Sequence, residues 1–408
     1  MPDFLKARRL DKVRYEIRGA LHQMAHQLEN AGEHILKLNI GNPAAFGFKT
    51  PKHIIEAIHT CLENLEGYTD SKGLPAARQA ILAYYQKQGF NDIDIEHIFI
   101  GNGVSELIIM GIQAFLNSGD EVLIPMPDYP LWTAAVHLAD AKAVHYRCDE
   151  VADWFPDVND IRRKISPRTR ALVIINPNNP TGAVYSKEVL LELAQVAREY
   201  NLLIFADEIY EQIVFDELQH EPIARLAPDL LTVTMGGLSK AYFASGFRQG
   251  WMLLTGPVQK KAHAYLDGLN LLASLRLCAN VPMQAGIVAA LQAPRTITPL
   301  LQPGGRLLAQ RDLTYQLLQN IPGISCVKQK GALYCFPKID TKHFHIRSDA
   351  RFVLDFLQKE KVLLVHGTGL NWDQADHFRI VTLANVGDLH TALSRLKNFL
   401  IDYQQELD

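Results

Sequence analysis

The chain has 408 residues, 48% hydrophobic and 21% charged, with a formal net charge of −3. That length favours two domains over a single core, and the balance is that of an ordinary soluble globular protein with no global basic field for nucleic acid or an anionic membrane. The five cysteines are odd in number, widely spaced and without a C-x-x-C pair, so they read as reduced, buried small hydrophobes.

The N-terminus, MPDFLKARRLDKVRYEIRG, is charged throughout and shows no apolar signal core, which places the expected compartment in the cytoplasm. A helix is predicted from about Ile17 to Asn30, packing with the C-terminal part of the chain. The longest apolar stretches, such as VSELIIMGIQAFL, are broken well short of the roughly 18 residues that span a bilayer.

From about residue 97 strands and helices alternate. IFI precedes GNGVSELIIMGIQAFL, and EVLIP precedes a helical segment beginning near Pro130. ALVIIN leads into NPNNPTG and the helix KEVLLELAQVAREY; LLIFADE, LLTVTM and GWMLLTG follow. Apolar β-branched runs bounded by Gly, Pro and Asn, with amphipathic helices between them, predict an α/β domain with a largely parallel sheet covered on both faces, over residues 46–295. From Pro303 a long helix leads to ISCVKQKGALYCFPKI, read as a strand pair, then to the helix ARFVLDFLQKEK. The short strands VLLVHG and FRIVTLA and a closing helix complete a smaller α+β domain over residues 296–408, and residues 1–45 form an N-terminal segment docked on it. No internal repeat or low-complexity tract interrupts this order.

Ligands of parallel sheets sit beyond the carboxyl ends of the strands, so the residues that follow each strand carry the functional reading. After IFI comes GNGVSE, where Gly103, Val104 and Ser105 open a helix and offer backbone N–H groups to an anion. The chain has neither G-x-x-x-x-G-K-[ST] nor G-x-G-x-x-G. After ALVIIN, two prolines hold Asn178 and Asn179 rigidly. After LLIFA come Asp207 and Tyr210, and after LLTVTM comes GGLSKAYFASGFRQG, with Lys240 and, eight residues on, Arg248. Taken singly, each has an ordinary structural explanation: a stiff turn, an ion pair, a helix cap, a solvated lysine. Together they match the needs of pyridoxal 5′-phosphate. Its aldehyde takes a lysine as a Schiff base, its ring nitrogen a carboxylate, its phenolic oxygen hydrogen-bond donors, and its phosphate helix N–H groups with an arginine.

The motifs NPNNPTG, ADEIY and GLSKAYFASGFRQGW, with KGALYCFP and FRI downstream, resemble those of the class I/II aminotransferases of fold type I, and the resemblance runs from about Lys37 to Asn398. Within that superfamily LKLNIGNPAAFGF, YTDSKGL, PDYPLWTAAV and HFRIVTL are most similar to bacterial alanine (glutamate–pyruvate) aminotransferases. The resemblance implies a large domain with a mostly parallel seven-stranded sheet, and a homodimer with shared active sites. It implies that Lys240 is the Schiff-base lysine and that Asp207 pairs with the ring nitrogen. Tyr210 and Asn179 would bond the phenolic oxygen, and Tyr129 would stack on the ring. Gly103, Val104, Ser105, Ser239 and Arg248 would hold the phosphate, with Tyr68 reaching that of the neighbouring subunit. Arg379, with Asn179 and the backbone at Gly41, would grip the substrate α-carboxylate bidentately.

The implied activity is a ping-pong exchange between L-alanine/pyruvate and L-glutamate/2-oxoglutarate. The distal carboxylate of glutamate is expected at Tyr15 or Arg276, the alternative for Arg276 being a structural interface arginine. An aminotransferase for branched-chain, methionine or aromatic side chains, a β-lyase and a non-catalytic protein of the same fold stand as rival readings. Two positions depart from the wider family: Gly237 replaces a common serine and Phe243 a common arginine. The histidines are scattered, the pair His22 and His26 lacks the glutamate of H-E-x-x-H, and no metal site is expected; His366 is read as packing.

Overall fold

The structure is a computed structural model that describes residues 4–13, 15, 16 and 19–406. Its centre is a sheet of eight strands: β1 (Ile98–Asn102), β2 (Glu121–Met126), β3 (Lys142–Asp149), β4 (Phe155–Pro156), β5 (Thr169–Ile175), β6 (Leu203–Asp207), β7 (Thr232–Gly237) and β8 (Gln249–Thr255). They lie in the order β1-β8-β7-β6-β5-β2-β3-β4. The strands β3, β2, β5, β6 and β7 pair in parallel, whereas β8 runs antiparallel to both its neighbours and the two-residue β4 adds antiparallel to β3. Seven long strands with a short edge thus realise the expected α/β sheet.

Strand β3 is absent from the sequence reading, and its pattern explains the omission. In KAVHYRCD only Tyr146 and Cys148 are buried, while Lys142 and Asp149 are exposed. An edge position wets the alternate residues, so the strand lacks the continuous apolar run that marks the central ones.

Alternation along the central strands divides the apolar side chains between two layers. Val122, Ile124, Val173 and Phe205 face the helices Val104–Phe115 and His263–Leu275. Leu123, Leu172, Ile174 and Ile204 face the helix Lys187–Glu199 on the other side. A separate apolar cluster unites the N-terminal helix Ala20–Asn30, through Leu21 and Ala25, with the helices Arg306–Gln319, Asp349–Glu360 and Val386–Ile401. Ile17, the predicted first residue of that N-terminal helix, lies outside the described residues. Backbone pairing of Leu36–Lys37 with Val362–Leu363, in parallel, stitches the N-terminal segment to the same body.

The strand pair expected within ISCVKQKGALYCFPKI is not a single hairpin. Ile324–Ser325 pairs with Lys338–Ile339, and Tyr334–Cys335 pairs instead with Phe378–Val381. In the intervening segment Gly331 forms an isolated antiparallel bridge with Val214, in the stretch between β6 and β7.

Candidate active site

Strand order reverses between β5 and β2, so the loops that follow them diverge and leave a crevice at the carboxyl end of the sheet. A cavity of about 860 Å³ occupies it. Lys240, Asp207, Tyr210, Asn179, Tyr129, Ser239, Val104, Ser105, Arg248, Gly41, Arg379 and Tyr15 all line this one space.

Asp207 closes β6 and is buried. The indole N–H of Trp132 donates to its Oδ2 at 3.1 Å, and the backbone N–H of Ile209 reaches Oδ1 at 3.4 Å. Burial raises this carboxyl above its ordinary value, against those two donors and the Lys240 ammonium. Its Oδ1, with one long backbone bond, is the acceptor best placed to receive a further cationic donor. Lys240 donates from Nζ to the Gly41 carbonyl at 2.7 Å and lies 5.8 Å from the centre of the Tyr210 ring.

The anion cradle is built by close backbone approach. Gly103, at φ 83°, caps the twelve-residue helix that Val104 begins. A methyl there would stand 2.8 Å from the Arg248 guanidinium carbon, so the two share a space that a side chain would fill. Arg248 donates to the Ser245 and Asn102 carbonyls at 2.8 and 3.3 Å and has no carboxylate partner among the described residues. Helix N–H groups and this arginine point the local field at an anion.

Arg379 is 2% exposed, and it too makes no ion pair among the described residues. Its Nη1 donates to Asn179 Oδ1 at 2.9 Å and its Nη2 to the Asn39 carbonyl at 2.6 Å, while Nε has no partner. The face of Tyr334 lies 4.5 Å beneath the guanidinium. The Tyr334 hydroxyl also meets that of Tyr210 at 2.8 Å. Burial raises both phenols. For Tyr334, however, Lys240 and Arg379 outweigh it and bring the group below its ordinary value. Tyr334 and Trp132 were not singled out in the sequence. Each sits in a motif quoted for another residue and reads as core.

Tyr68, Arg276, His366 and Phe243 lie elsewhere than the cavity wall, and Gly103, the cap before Val104, is not on the lining itself. Tyr68 is 81% exposed and does not line this chain's own crevice. Arg276 donates from Nη1 to Glu106 Oε2 at 2.8 Å and from Nη2 to the Ser71 and Ile100 carbonyls at 3.2 and 2.7 Å, so both Nη groups are committed away from the cavity it was expected to serve. His366 accepts from the Gly369 N–H and bonds Thr368, a packing role. Phe243 is buried against Phe48, ring centres 4.9 Å apart. Outside the cavity, Glu208, Glu211 and His220 bring potential ligand atoms within 4.8 Å of one another. Burial raises both carboxyls and lowers His220 to about 3, directions that favour three neutral groups.

The family model for aminotransferase class I and II matches residues 33–396. The chain is 58% identical over 400 residues to the glutamate–pyruvate aminotransferase AlaA of Escherichia coli K12, covering 98% of each chain. It is 51% identical over 403 residues to an alanine aminotransferase of Mycobacterium bovis, covering 98% of this chain and 94% of the other. Among solved structures, an Escherichia coli aminotransferase superposes with a TM-score of 0.98 at 57% identity, covering 99% of this chain and all of the other. An alanine aminotransferase from Pyrococcus furiosus superposes with a TM-score of 0.92 at 38% identity, covering 97% and 99%.

Proposed function

The chain belongs to the class I and II aminotransferases, and on that premise we propose that it transfers the amino group of L-alanine to 2-oxoglutarate, giving pyruvate and L-glutamate, and runs the reverse. The near full-length similarity to alanine and glutamate–pyruvate aminotransferases supports these substrates. The observation that carries the chemistry is the single cavity that joins the Lys240 amine, the buried Asp207 carboxyl and the unpaired Arg379 guanidinium.

The enzyme uses pyridoxal 5′-phosphate, and the residues present fit it. A buried carboxylate with an under-used oxygen suits a ring N–H, and bare backbone at Gly103 beside Arg248 suits a phosphate. When bound, the cofactor supplies an electrophilic carbon for amines and a protonated ring that accepts the electron pair released at the substrate α-carbon.

The chain's own groups do the rest. Asp207 holds a proton at the ring nitrogen, and Trp132 orients the carboxylate for it. The Tyr210 hydroxyl and the Asn179 amide would bond the phenolic oxygen, and Tyr129, on the cavity wall, would cover the ring. Ser105, Val104, Gly103, Ser239 and Arg248 would hold the phosphate. Arg379 takes the α-carboxylate on its planar fork, an arrangement a lysine would not reproduce. Lys240 Nζ moves the proton at the substrate α-carbon. Its Nζ lies 2.7 Å from the Gly41 carbonyl, beside the α-carboxylate site.

Assembly and place complete the reading. The exposed Tyr68 and the exposed Leu271, Leu275 and Leu277 support a homodimer in which Tyr68 reaches the partner's phosphate site. The apolar cluster that joins the helix Ala20–Asn30 to the C-terminal helices supports a division into an N-terminal segment of residues 1–45, a large domain of 46–295 and a small domain of 296–408, all three contributing to the cavity wall. Five unpaired cysteines fit a cytoplasmic enzyme, and no helix among the described residues is long and apolar enough to cross a membrane.

The test is the absorbance of the bound cofactor on separate addition of L-alanine, L-glutamate, L-valine and L-phenylalanine, with Lys240→Ala as control. Conversion by alanine and glutamate at low concentration, lost in the variant, is the expected result. A response mainly to valine or phenylalanine would move the substrate assignment, and no cofactor band at all would overturn the reading.

A further inference from the structure

A glutamate–alanine exchange poses a problem of charge. One substrate carries a second carboxylate and the other a methyl group, and both must use the same cavity. Among the described residues, four permanent cations line that cavity: Lys37, Lys240, Arg248 and Arg379. In the reading above Lys240 is the reacting amine, Arg248 serves the phosphate and Arg379 the α-carboxylate. Lys37 has no task in it.

Its position suits the missing one. Residues 37, 39 and 41 are alternate positions of one strip of chain. The Asn39 carbonyl anchors Arg379 at 2.6 Å, and the Gly41 carbonyl anchors Lys240 at 2.7 Å. At about 3.3 Å per residue, Lys37 begins about 7 Å from the residue that seats Arg379. The two carboxyl carbons of an extended glutamate stand about 5 Å apart across four C–C bonds of about 1.5 Å. A lysine stem is long enough to close the remaining gap. Lys37 is held from behind by Glu29 of the N-terminal helix, which contacts its Nζ through both carboxylate oxygens at 2.7 and 2.8 Å. That hydrogen bond and the lysine charge lower the Glu29 carboxyl below its ordinary range, so the clamp is ionised. An ammonium has three donors, and the lysine side chain is 39% exposed, so a further acceptor does not have to displace Glu29 or wait for full desolvation.

Resting on the glutamate–alanine assignment, we propose that Lys37 is the specificity residue that receives the distal carboxylate of L-glutamate and 2-oxoglutarate. With alanine or pyruvate it stays paired with Glu29 and takes no part. Arg276, committed to Glu106 and two backbone carbonyls, is not available for this role. Tyr15 lines the same cavity but offers a neutral hydroxyl, shared with Tyr129 at 3.1 Å.

The opposite charges of Lys37 and Glu29 give the test its sign. On the holoenzyme, kcat/KM is measured for the L-glutamate and L-alanine half-reactions and for 2-oxoglutarate and pyruvate in the return direction. Lys37→Gln is expected to lower the glutamate-to-alanine ratio roughly tenfold, the scale of one lost charge-assisted contact, mainly through KM. Lys37→Arg is expected to restore most of it. Glu29→Gln, which removes the competing acceptor, is expected to raise the ratio. An equal fall for both substrates in Lys37→Gln, or an unchanged ratio, would overturn the assignment of Lys37. A parent enzyme that converts neither alanine nor glutamate would overturn the reading on which it rests, and the two failures are distinguished by the parent's own half-reactions.

Discussion

The most direct check on the site's construction is a single methyl group. Gly41 does not use a left-handed backbone, so alanine can adopt its conformation, but the added carbon would overlap the Tyr334 hydroxyl and stand 2.9 Å from its Cζ. Tyr334 is buried and cannot step into solvent. If it withdraws, Tyr210 loses its 2.8 Å partner and Arg379 loses the ring 4.5 Å below it. A buried hydroxyl left unsatisfied costs about 1–3 kcal/mol, and the cation–ring contact contributes about 0.5–2 kcal/mol. Gly41→Ala should therefore cost the folded chain about 2–4 kcal/mol, read as a fall in melting temperature, and, by moving the ring away from Arg379 and Tyr210, lower kcat/KM for L-alanine by at least about tenfold. Tyr334→Phe removes the oxygen that collides. In that background Gly41→Ala should cost at least tenfold less than in the parent. A double-mutant cycle of kcat/KM, with thermal melts of each variant, measures this coupling. Parent-like activity in Gly41→Ala, or strict additivity with Tyr334→Phe, would refute the argument that the glycine exists to seat the tyrosine.

Three further variants test separate parts. Gly237→Ser puts a Cβ 2.8 Å from the Gln249 carbonyl oxygen and 3.1 Å from Gly250 Cα; overpacking of this kind costs about 1–3 kcal/mol, so the melting temperature should fall while cofactor retention does not improve. Glu208 has its carboxyl raised by burial and then by Glu211, so its contribution to stability is full below the unfolded value of about 4.3 and is lost as pH rises above it. Glu208→Gln should therefore melt higher than the parent by a margin that widens from pH 5 to pH 8, and a margin independent of pH would be the contrary result. Arg276→Gln removes the ion pair of Glu106 and the guanidinium donor of two carbonyls and should slow the alanine and glutamate half-reactions in equal proportion; a selective loss of glutamate would return Arg276 to the substrate site.

What the sequence revealed and what it hid follow from where each group gets its partners. Asp207, Asn179 and Lys240 are legible because each is a polar residue placed just past an apolar strand, at the end where parallel sheets gather ligands. Arg379 is legible by contrast, a cation inside the buried strand FRIV. Tyr334 shows no such contrast, being an aromatic in a buried two-residue strand, and its importance comes from partners at Arg379, Tyr210 and Gly41 that only the fold assembles. The same holds for the pairing of Tyr334 with Val381, 47 positions away, which no local pattern specifies. Arg276 misled in the opposite direction. An arginine near the expected cleft looks like a ligand until Glu106, itself bonded to the Asn102 N–H at 2.7 Å, is seen to claim it.

The two departures from the wider family are answered by packing rather than by replacement of the lost groups. At Gly237 there is no room for the common serine. The position lies in an antiparallel pair opposite Gly250, and Gly250 in turn lies against the backbone of Gly103 and Val104. A chain of bare backbone contacts thus brings the lysine loop up to the anion cradle, and a side chain at any link would separate them. Phe243 replaces a charge with an apolar clamp. It is held at φ 55°, which costs a non-glycine residue about 1–2 kcal/mol, and burial of its ring against Phe48 supplies about 1.5–3 kcal/mol in return. Thr50 donates to its carbonyl at 3.2 Å, and Arg306 covers the far side of Phe48 at 4.0 Å. Arg248 is held at φ 55° as well, by its bonds to the Ser245 and Asn102 carbonyls. The loop that carries Lys240 is therefore fixed at two strained residues, one by an apolar stack and one by hydrogen bonds. Because the stack joins Phe243 and Phe48 to Arg306 of the helix Arg306–Gln319, the position of the reacting amine depends on the body that carries Arg379 as much as on the sheet beneath it.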